Sequence, residues 1–155
     1  MVPAGAYREP GDAFSHDPIQ MEGGNFRSRH QLYMNGAEVM SFALRELPPV
    51  WTDLLNYAGI NAEQLNAVVM HQANQFMLNT LAKRMGVDSS RVPSTLELFG
   101  NTSSASIPLT IVERLSDKTT AKENKLALLG FGVGWSWAGC IGDFDNMMVC
   151  ETLYV

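Results

Sequence analysis

The spacing of apolar residues predicts a long helix in the first half of the chain. Apolar side chains fall on one helical stripe between Gly36 and Ala58, and Gly59 is placed to end the helix. The stripe consists of Val39, Ala43, Leu47, Val50, Leu54 and Ala58. Pro48 and Pro49 lie inside it, and because proline lacks a backbone donor, they predict a kink or a split. Residues 61–64 resemble a capping box that opens one short turn.

The middle of the chain alternates between strand and helix patterns. The apolar run Ala67–Met70 predicts a short buried strand, and a helix follows to Met85 with Gly86 as its C-cap. The apolar face of that helix consists of Met77, Leu78, Leu81, Ala82 and Met85. Residues 92–96 are typical of another short strand, and a further helix is expected to start near Ser103.

Two strand patterns complete the core. Residues 126–131 form the continuous apolar run of a strand buried on both faces. Trp135, Trp137 and Ile141 then alternate with small residues, as in a strand packed on one side. Strands alternating with helices indicate an α/β layered domain with a mixed sheet and flanking helices. We divide the chain into an extended loop segment (1–31), the domain (32–145) and a tail (146–155) of unassigned role.

Composition narrows the function classes. With 46% apolar and 17% charged residues in 155, the chain is typical of a globular domain. A net charge of −5 without a basic cluster argues against nucleic acid as a partner. No apolar run reaches about eighteen residues, and no secretory leader opens the chain, so we expect no membrane span and a cytoplasmic location. The histidines and cysteines lack the spacing of a metal site, and Cys140 is expected to be a small core residue.

His71 and Asn101 are the candidate reactive residues. His71 follows the Ala67–Met70 strand, and Asn101 precedes a predicted helix. In α/β proteins, ligands bind at such element ends, and two donors that converge on one point can stabilise a developing oxyanion. From spacing alone, both residues could equally be satisfied polar groups at the ends of elements.

Four motifs carry a family resemblance. His-Gln-Ala-Asn at 71–74 is followed by Gly-Asn-Thr-Ser-Ser-Ala-Ser at 100–106. A glycine-rich segment ending in Trp-Ser-Trp occupies 130–137, and Met-Asn-Gly-Ala-Glu-Val occupies 34–39. Together they resemble the C-terminal half of the ketoacyl-ACP synthase III family, condensing enzymes of the thiolase superfamily. The family's nucleophilic cysteine lies in its N-terminal half.

The resemblance implies a decarboxylative Claisen condensation of an acyl-CoA with malonyl-ACP, as in fatty acid biosynthesis. His71 and Asn101 then correspond to the catalytic donors to the malonyl thioester oxygen. Ser103, Ser104 and Ser106 are expected to be capping or packing residues rather than nucleophiles, because the sequence shows no paired base for them. Donation by His71 requires a protonated nitrogen facing the substrate, as a neutral tautomer or as imidazolium. No cofactor is implied, since acyl-CoA and malonyl-ACP are substrates. The implied partners are the N-terminal half, the acyl carrier protein, a coenzyme A thioester and a second copy in a homodimer.

Further positions follow from the same resemblance. Val133 matches a backbone N–H of the acyl oxyanion hole, where relatives commonly carry glycine. Gly36, Met40 and Asn74 correspond to the substrate and CoA channel. Phe76 stands where many bacterial relatives have an arginine that docks the acidic carrier protein, and an aromatic ring cannot pair with phosphate or carboxylate.

Two other functions remain open at this stage. In the first, the chain belongs to a family acyltransferase that makes esters or amides, with His71 as general base. In the second, it is a non-catalytic module that binds a partner half or another copy of itself. In either case, as for the condensing enzyme, we expect this chain to be inactive alone.

Overall fold

The fold is a small three-stranded sheet with helices on both faces. The computed structural model describes residues 16–29, 31, 34–119, 124–132, 135–145 and 147. Its strands are β1 (Ile19–Gln20), β2 (Phe26–Arg27), β3 (Ala67–Met70), β4 (Lys125–Gly132) and β5 (Ser136–Asp143). Its helices are α1 (Gly36–Ala58), α2 (Gln75–Met85), α3 (Leu96–Phe99) and α4 (Ser106–Thr119). Short 3₁₀ turns cover Ala62–Gln64, Ser89–Arg91 and Ser103–Ala105.

The main sheet is mixed, as the sequence predicts. β4 lies in the centre, parallel to β3 and antiparallel to β5. Met70 pairs with Leu129 in the first register, and Leu129 pairs with Gly139 in the second. Because β4 has a strand on each side and helices above and below, most of its apolar run is buried, which confirms the central strand.

The alternation of side chains along β3 divides the core into two layers. Val68 and Met70 pack toward α1 and α2, whereas Ala67 and Val69 pack toward α4. The larger cluster also contains Leu47, Trp51, Leu81, Leu129 and Phe131. The smaller cluster also contains Ile111, Leu115 and Leu126. Since successive strand residues point to opposite faces, the four-residue β3 is buried along its whole length.

Helix α1 is one continuous helix, so the predicted split at Pro48 and Pro49 does not occur. Pro48 lacks the N–H that would donate to the carbonyl of Leu44 one turn earlier. Arg84 of α2 supplies a replacement, because its guanidinium donates to that carbonyl at 3.1 Å. The tertiary contact therefore satisfies the acceptor that the proline leaves without its helical donor.

We expect Arg84→Met to lower the free energy of unfolding by about 0.5–1.5 kcal/mol, the net value of one hydrogen bond. Methionine keeps the apolar stem but removes the donor. In a Pro48→Ala background the cost should shrink, because the backbone N–H of the introduced alanine serves the Leu44 carbonyl. A double-mutant cycle of the wild type, the two single variants and the double variant, measured by urea unfolding, gives this coupling. Lys83→Met, at an exposed position, is the matched control. Zero coupling between the two sites would contradict the role given to Arg84.

Two segments differ from their sequence predictions. Residues 92–96 are predicted to form a strand, but residues 92–95 form a loop and Leu96 begins α3. The Thr95 N–H donates to the side chain of Gln72 at 3.2 Å rather than to a neighbouring strand. Within the expected loop 1–31, β1 and β2 form a small antiparallel hairpin. Its turn is closed by Gly24, whose φ of 79° suits glycine.

Cys140 is exposed, so its prediction as a core residue was wrong. The β5 strand turns Trp137 and Ile141 toward α1 and the core, and strand alternation places Cys140 on the opposite face. Cys150 and most of the predicted tail lie outside the described residues. Within the part of the chain that the structure describes, no helix has the length and apolar character needed to cross a membrane.

Candidate functional site

His71 is anchored by the sheet at the carboxyl end of β3. Its backbone N–H donates to the Leu129 carbonyl at 2.9 Å, which extends the β3–β4 pairing by one residue. The chain then leaves the sheet and starts α2 at Gln75, with Asn74 as N-cap. His71 therefore stands between the end of a parallel strand and the start of a helix, where α/β folds place ligands.

Gln72 locks the loop that carries His71. Its side chain is fully buried, and its amide nitrogen donates to the Met70 carbonyl at 2.9 Å. Its amide oxygen accepts from the Thr95 N–H at 3.2 Å. Thr95 in turn shares a 3.0 Å hydrogen bond with Thr110 of α4. Because unsatisfied buried polar groups are costly, this chain of bonds fixes the loop against α4.

The His71 ring is half-buried and held at one nitrogen. Nδ1 lies 2.9 Å from Ser106 Oγ, and the ring meets Phe131 edge-on at a centroid distance of 5.3 Å. Burial lowers the pKa of His71 below its usual 6.5, while a hydrogen bond with the Ser103 backbone acts in the opposite direction. The ring is therefore mainly neutral at neutral pH.

Asn101 is exposed and reaches the same turn. It follows Gly100, whose φ of 63° and ψ of −149° form a conformation reserved for glycine. Asn101 Oδ1 accepts from the Ser103 N–H at 2.9 Å. This bond occupies the amide oxygen, so the NH₂ group points away from Ser103 and can donate to a ligand.

Ser103 joins the two candidate residues. Its carbonyl side interacts with the His71 ring, and its N–H binds Asn101. Ser103 itself has a φ of 54°, which is uncommon outside glycine and persists only where neighbours impose it. The structure thus brings His71 and Asn101 to one turn, with a side-chain NH₂ and an imidazole able to act on a ligand oxygen.

The lowered pKa of His71 predicts a pH dependence of stability. Below pH 6.5 the unfolded chain binds a proton more readily than the folded chain. The contribution of His71 is therefore fully present above that pH and is lost as pH falls through the folded-state pKa. We expect the free energy of unfolding to fall more in the wild type than in His71→Gln between about pH 7.5 and about pH 5.5. Equal slopes in urea unfolding would contradict this.

The predicted channel residues have mixed surroundings. Gly36 is exposed at the start of α1, and Met40 is half-buried against the larger core cluster. Asn74 Oδ1 accepts from the Met77 N–H at 2.8 Å, so Asn74 also serves as the cap of α2. Phe76 is 72% exposed on the first turn of that helix. Val133 lies outside the described residues, so its assignment stays a prediction.

Sequence reasoning missed Ser106 and Gln72 as parts of the site. The sequence indicated capping or packing for Ser106, and Gln72 had no role beyond its motif. The only local signal for Gln72 was its place beside His71. The bond between Ser106 and His71 joins residues 35 apart in sequence, which no helical or strand period can indicate.

In the ranges that the structure describes, neither a metal-binding cluster nor the lining of the cavity near Arg91 includes His71 or Asn101. Among the described residues, no group of three His, Cys, Asp or Glu side chains is placed to hold a metal ion. A cavity of about 240 Å³ lies away from His71, between Glu63, Val87 and Arg91. The Arg91 guanidinium there donates to the carbonyls of Glu63 and Leu65 at 2.8 and 2.7 Å, so it serves the fold.

Comparison with known sequences places this chain in a family of condensing enzymes. Residues 55–144 match the profile described as 3-oxoacyl-[acyl-carrier-protein] synthase III C terminal. A beta-ketoacyl-[acyl-carrier-protein] synthase III of Synechococcus sp. strain WH7803 is 42% identical over 110 residues, covering 71% of this chain and 33% of the relative. A second beta-ketoacyl-[acyl-carrier-protein] synthase III, from Prochlorococcus marinus strain MIT 9515, is 36% identical over 125 residues. The match covers 81% of this chain and 36% of that relative. The chain spans about one third of the length of these curated relatives.

Solved structures agree with the sequence comparison. A crystal structure of a 3-oxoacyl-(acyl-carrier-protein) synthase III superposes with a TM-score of 0.77 at 44% identity, covering 92% of this chain and 42% of that one. The 3-oxoacyl-(acyl-carrier protein) synthase from Burkholderia xenovorans LB400 superposes with a TM-score of 0.73 at 39% identity. The superposition covers 81% of this chain and 37% of that one. The predicted thiolase-like α/β fold is thereby confirmed.

Proposed function

Because the chain belongs to the 3-oxoacyl-ACP synthase III family and matches its C-terminal part, we propose that it supplies half of a condensing active site. The proposed enzyme is a cytoplasmic, homodimeric acyltransferase of fatty acid biosynthesis that joins an acyl-CoA to malonyl-ACP. Its N-terminal half contributes the nucleophilic cysteine, and no metal or organic cofactor takes part. The main support is that neighbouring residues of one turn hold both side chains, since the Ser103 N–H binds Asn101 and Ser106 Oγ binds the His71 ring.

In the proposed reaction, the bond between the malonyl carboxylate and its neighbouring carbon breaks, and carbon dioxide leaves. The electron pair moves into the thioester, so negative charge grows on its oxygen. The NH₂ of Asn101 and Nε2–H of His71 donate to that oxygen, which stabilises the transition state more than the ground state. The carbanion then attacks the acyl thioester on cysteine, and the thiolate leaves with the electron pair.

The protonation of His71 shapes this role. Nδ1 lies 2.9 Å from Ser106 Oγ, and this contact can form with Nδ1 as donor or as acceptor. Donation from Nε2 requires the Nε2–H tautomer or the imidazolium, whereas Asn101 donates at every pH.

The test uses the protein in its complete genomic reading frame, incubated with acyl-CoA and malonyl-ACP. Carbon dioxide release and ketoacyl-ACP formation in equal amounts are the expected result, with no condensation by the 155-residue chain alone. Turnover by this chain alone would overturn the half-site proposal. An acyl product formed without carbon dioxide would exclude condensation.

A second candidate is acyl transfer to an alcohol or amine, with His71 as general base. The observation that favours it is the lowered pKa of His71, because a neutral imidazole has one nitrogen that can accept a proton. Exposed Phe76, which offers no charge to a carrier protein, fits the same idea. Product analysis separates the two functions, because a ketoacyl product with released carbon dioxide excludes pure acyl transfer.

A further inference from the structure

The side chain of Gln72 lies between the two segments that carry the candidate donors. It is fully buried, whereas its neighbour His71 is half-buried. Its amide nitrogen donates to the Met70 carbonyl at 2.9 Å and to the Pro93 carbonyl at 3.5 Å. Its amide oxygen accepts from the Thr95 N–H at 3.2 Å. One buried side chain therefore ties the end of β3 to the segment that leads into α3.

The amide of Gln72 has only one orientation that suits these neighbours. Exchanging its oxygen and nitrogen would place the oxygen against two carbonyls and the NH₂ group against the Thr95 N–H. Neither of those arrangements forms a hydrogen bond. Since the side chain is shielded from water, an unpaired group would carry the full desolvation penalty. The bonds of Gln72 therefore hold the two segments at one separation.

Thr95 transmits this separation to Asn101 through a short, tightly bonded turn. Its carbonyl accepts from the N–H groups of Leu98 and Phe99, both at 3.0 Å. The turn ends at Gly100, whose N–H donates to the first residue of α3 at 2.9 Å. Because Asn101 is the next residue, a displacement of Thr95 moves Asn101 with it.

His71, by contrast, has anchors that do not involve the Gln72 side chain. Its backbone N–H donates to β4 at 2.9 Å, and its Nδ1 lies 2.9 Å from Ser106 Oγ. The Asn101 side chain is exposed, and its 2.9 Å bond lies within its own turn. The Gln72 bridge therefore acts on the placement of Asn101 relative to His71.

We propose that Gln72 is a positioning residue that sets the separation between His71 and Asn101, so that both can donate to one substrate oxygen. This inference deepens the proposed function and rests on the donor roles given there. Because its side chain is fully buried, Gln72 does not touch the substrate. It acts on Asn101 through the Thr95 N–H.

Amide hydrogen exchange tests the bridge without any turnover. In the 155-residue chain we expect the Thr95 N–H to be protected. Gln72→Met removes its acceptor and should speed its exchange by about 3- to 10-fold, the equivalent of one hydrogen bond. The amides of β3 and β4 should keep their protection, which shows that the variant folds. An unprotected Thr95 N–H in the wild type would overturn the proposal, and this result requires no variant.

The side-chain amide signals of Asn101 report its placement in the same chain. They should shift in Gln72→Met, because the start of α3 moves, and stay unchanged in Gln75→Met. Gln75 is the matched control, since it is exposed and its bond from Ser94 Oγ at 2.9 Å joins the same two segments. Water can replace such an exposed bond at little cost. Unmoved Asn101 signals in folded Gln72→Met would contradict the positioning role.

Kinetics of the complete reading frame connect this placement to the reaction. We expect Gln72→Met to lower kcat for malonyl decarboxylation by about 10- to 100-fold, because a misplacement of about 1 Å can have an effect of that size. KM should change little, and Gln75→Met should retain activity. Gln72→Glu should recover part of kcat. Burial among carbonyls favours its neutral carboxyl, which can still accept from Thr95 and donate to Met70.

The Asn101→Ala background separates positioning from a general loss of structure. There, Gln72→Met should lower kcat by less than about threefold, because the donor that Gln72 places is already absent. An equal loss in both backgrounds would show a merely structural role and overturn the proposal. Absence of decarboxylation in the wild type would instead count against the proposed function. In that case the Asn101 signals still decide whether Gln72 sets the placement.

Discussion

Replacing Asn101 or His71 by alanine is expected to lower kcat for malonyl decarboxylation by about 100- to 1,000-fold, the loss typical of one oxyanion donor. Asn101 binds the Ser103 N–H and His71 binds Ser106 Oγ, so both side chains are arranged before substrate binds. Such preorganised donors act where charge develops, and water cannot replace them with the same geometry. KM should change far less than kcat, since the bond strengthens only in the transition state.

The measurement is carbon dioxide release from malonyl-ACP by the complete reading frame. Asn101→Asp is the sharper variant, because it keeps the oxygen that binds Ser103 and removes the NH₂ donor. Asn79→Ala, at an exposed position of α2, serves as the matched control and should retain activity. The double variant should lose much less than the product of the single losses, because the donors act on one oxygen. A loss below about threefold for Asn101→Asp would remove Asn101 from the oxyanion site.

The largest loss of stability is expected at Leu129. Its side chain is fully buried in the centre of β4, within the larger core cluster. Leu129→Ala should lower the free energy of unfolding by about 2–5 kcal/mol, because it removes apolar contact and leaves a cavity. Cys140→Ala, on the exposed side of β5, is the control and should stay within about 0.5 kcal/mol of the wild type.

Gly139 provides a second arm of the same experiment. It pairs with Leu129, and an added Cβ would lie 2.8 Å from Leu129 Cδ2 and 3.1 Å from Leu54 Cδ2. Gly139→Ala alone should therefore cost about 1–3 kcal/mol through overpacking. In a Leu129→Ala background the closest contact disappears, so the double variant should lose less than the sum of the two. Strict additivity in urea unfolding would show that Leu129 does not fill the space beside Gly139.

The long periodic elements were predictable because their own residues specify them. The α1 and α2 stripes, Gly59 and Gly86 as caps, and the apolar β4 run all depend on neighbours within a few turns. The same is true of the bond from the Asn61 N–H to Gln64 Oε1 at 2.8 Å, one half of the predicted capping box. Periodicity and capping depend on residues that are close together in the chain, so a single sequence is enough to predict these elements.

The sequence predictions of secondary structure were wrong where residues distant in the chain make contact. Pro48 does not divide α1, and Arg84 of another helix donates to the Leu44 carbonyl that the proline leaves without its helical donor. Residues 92–96 form no strand, and the N–H of Thr95 donates to the buried side chain of Gln72. In both cases a tertiary hydrogen bond outweighs the local preference. The partner is too far along the chain for any pattern to indicate it.

The same division applies to the site. The sequence by itself determined the α/β class, the order of the main elements and the two candidate residues, His71 and Asn101, at element ends. Only the tertiary structure decided that both meet at Ser103 and that Ser106 holds Nδ1 of His71. The reason is that α4 packs against β3, and this packing sets the distance between side chains 35 residues apart. Periodicity determines which face is buried, but the protonated nitrogen depends on the atoms that packing brings to it.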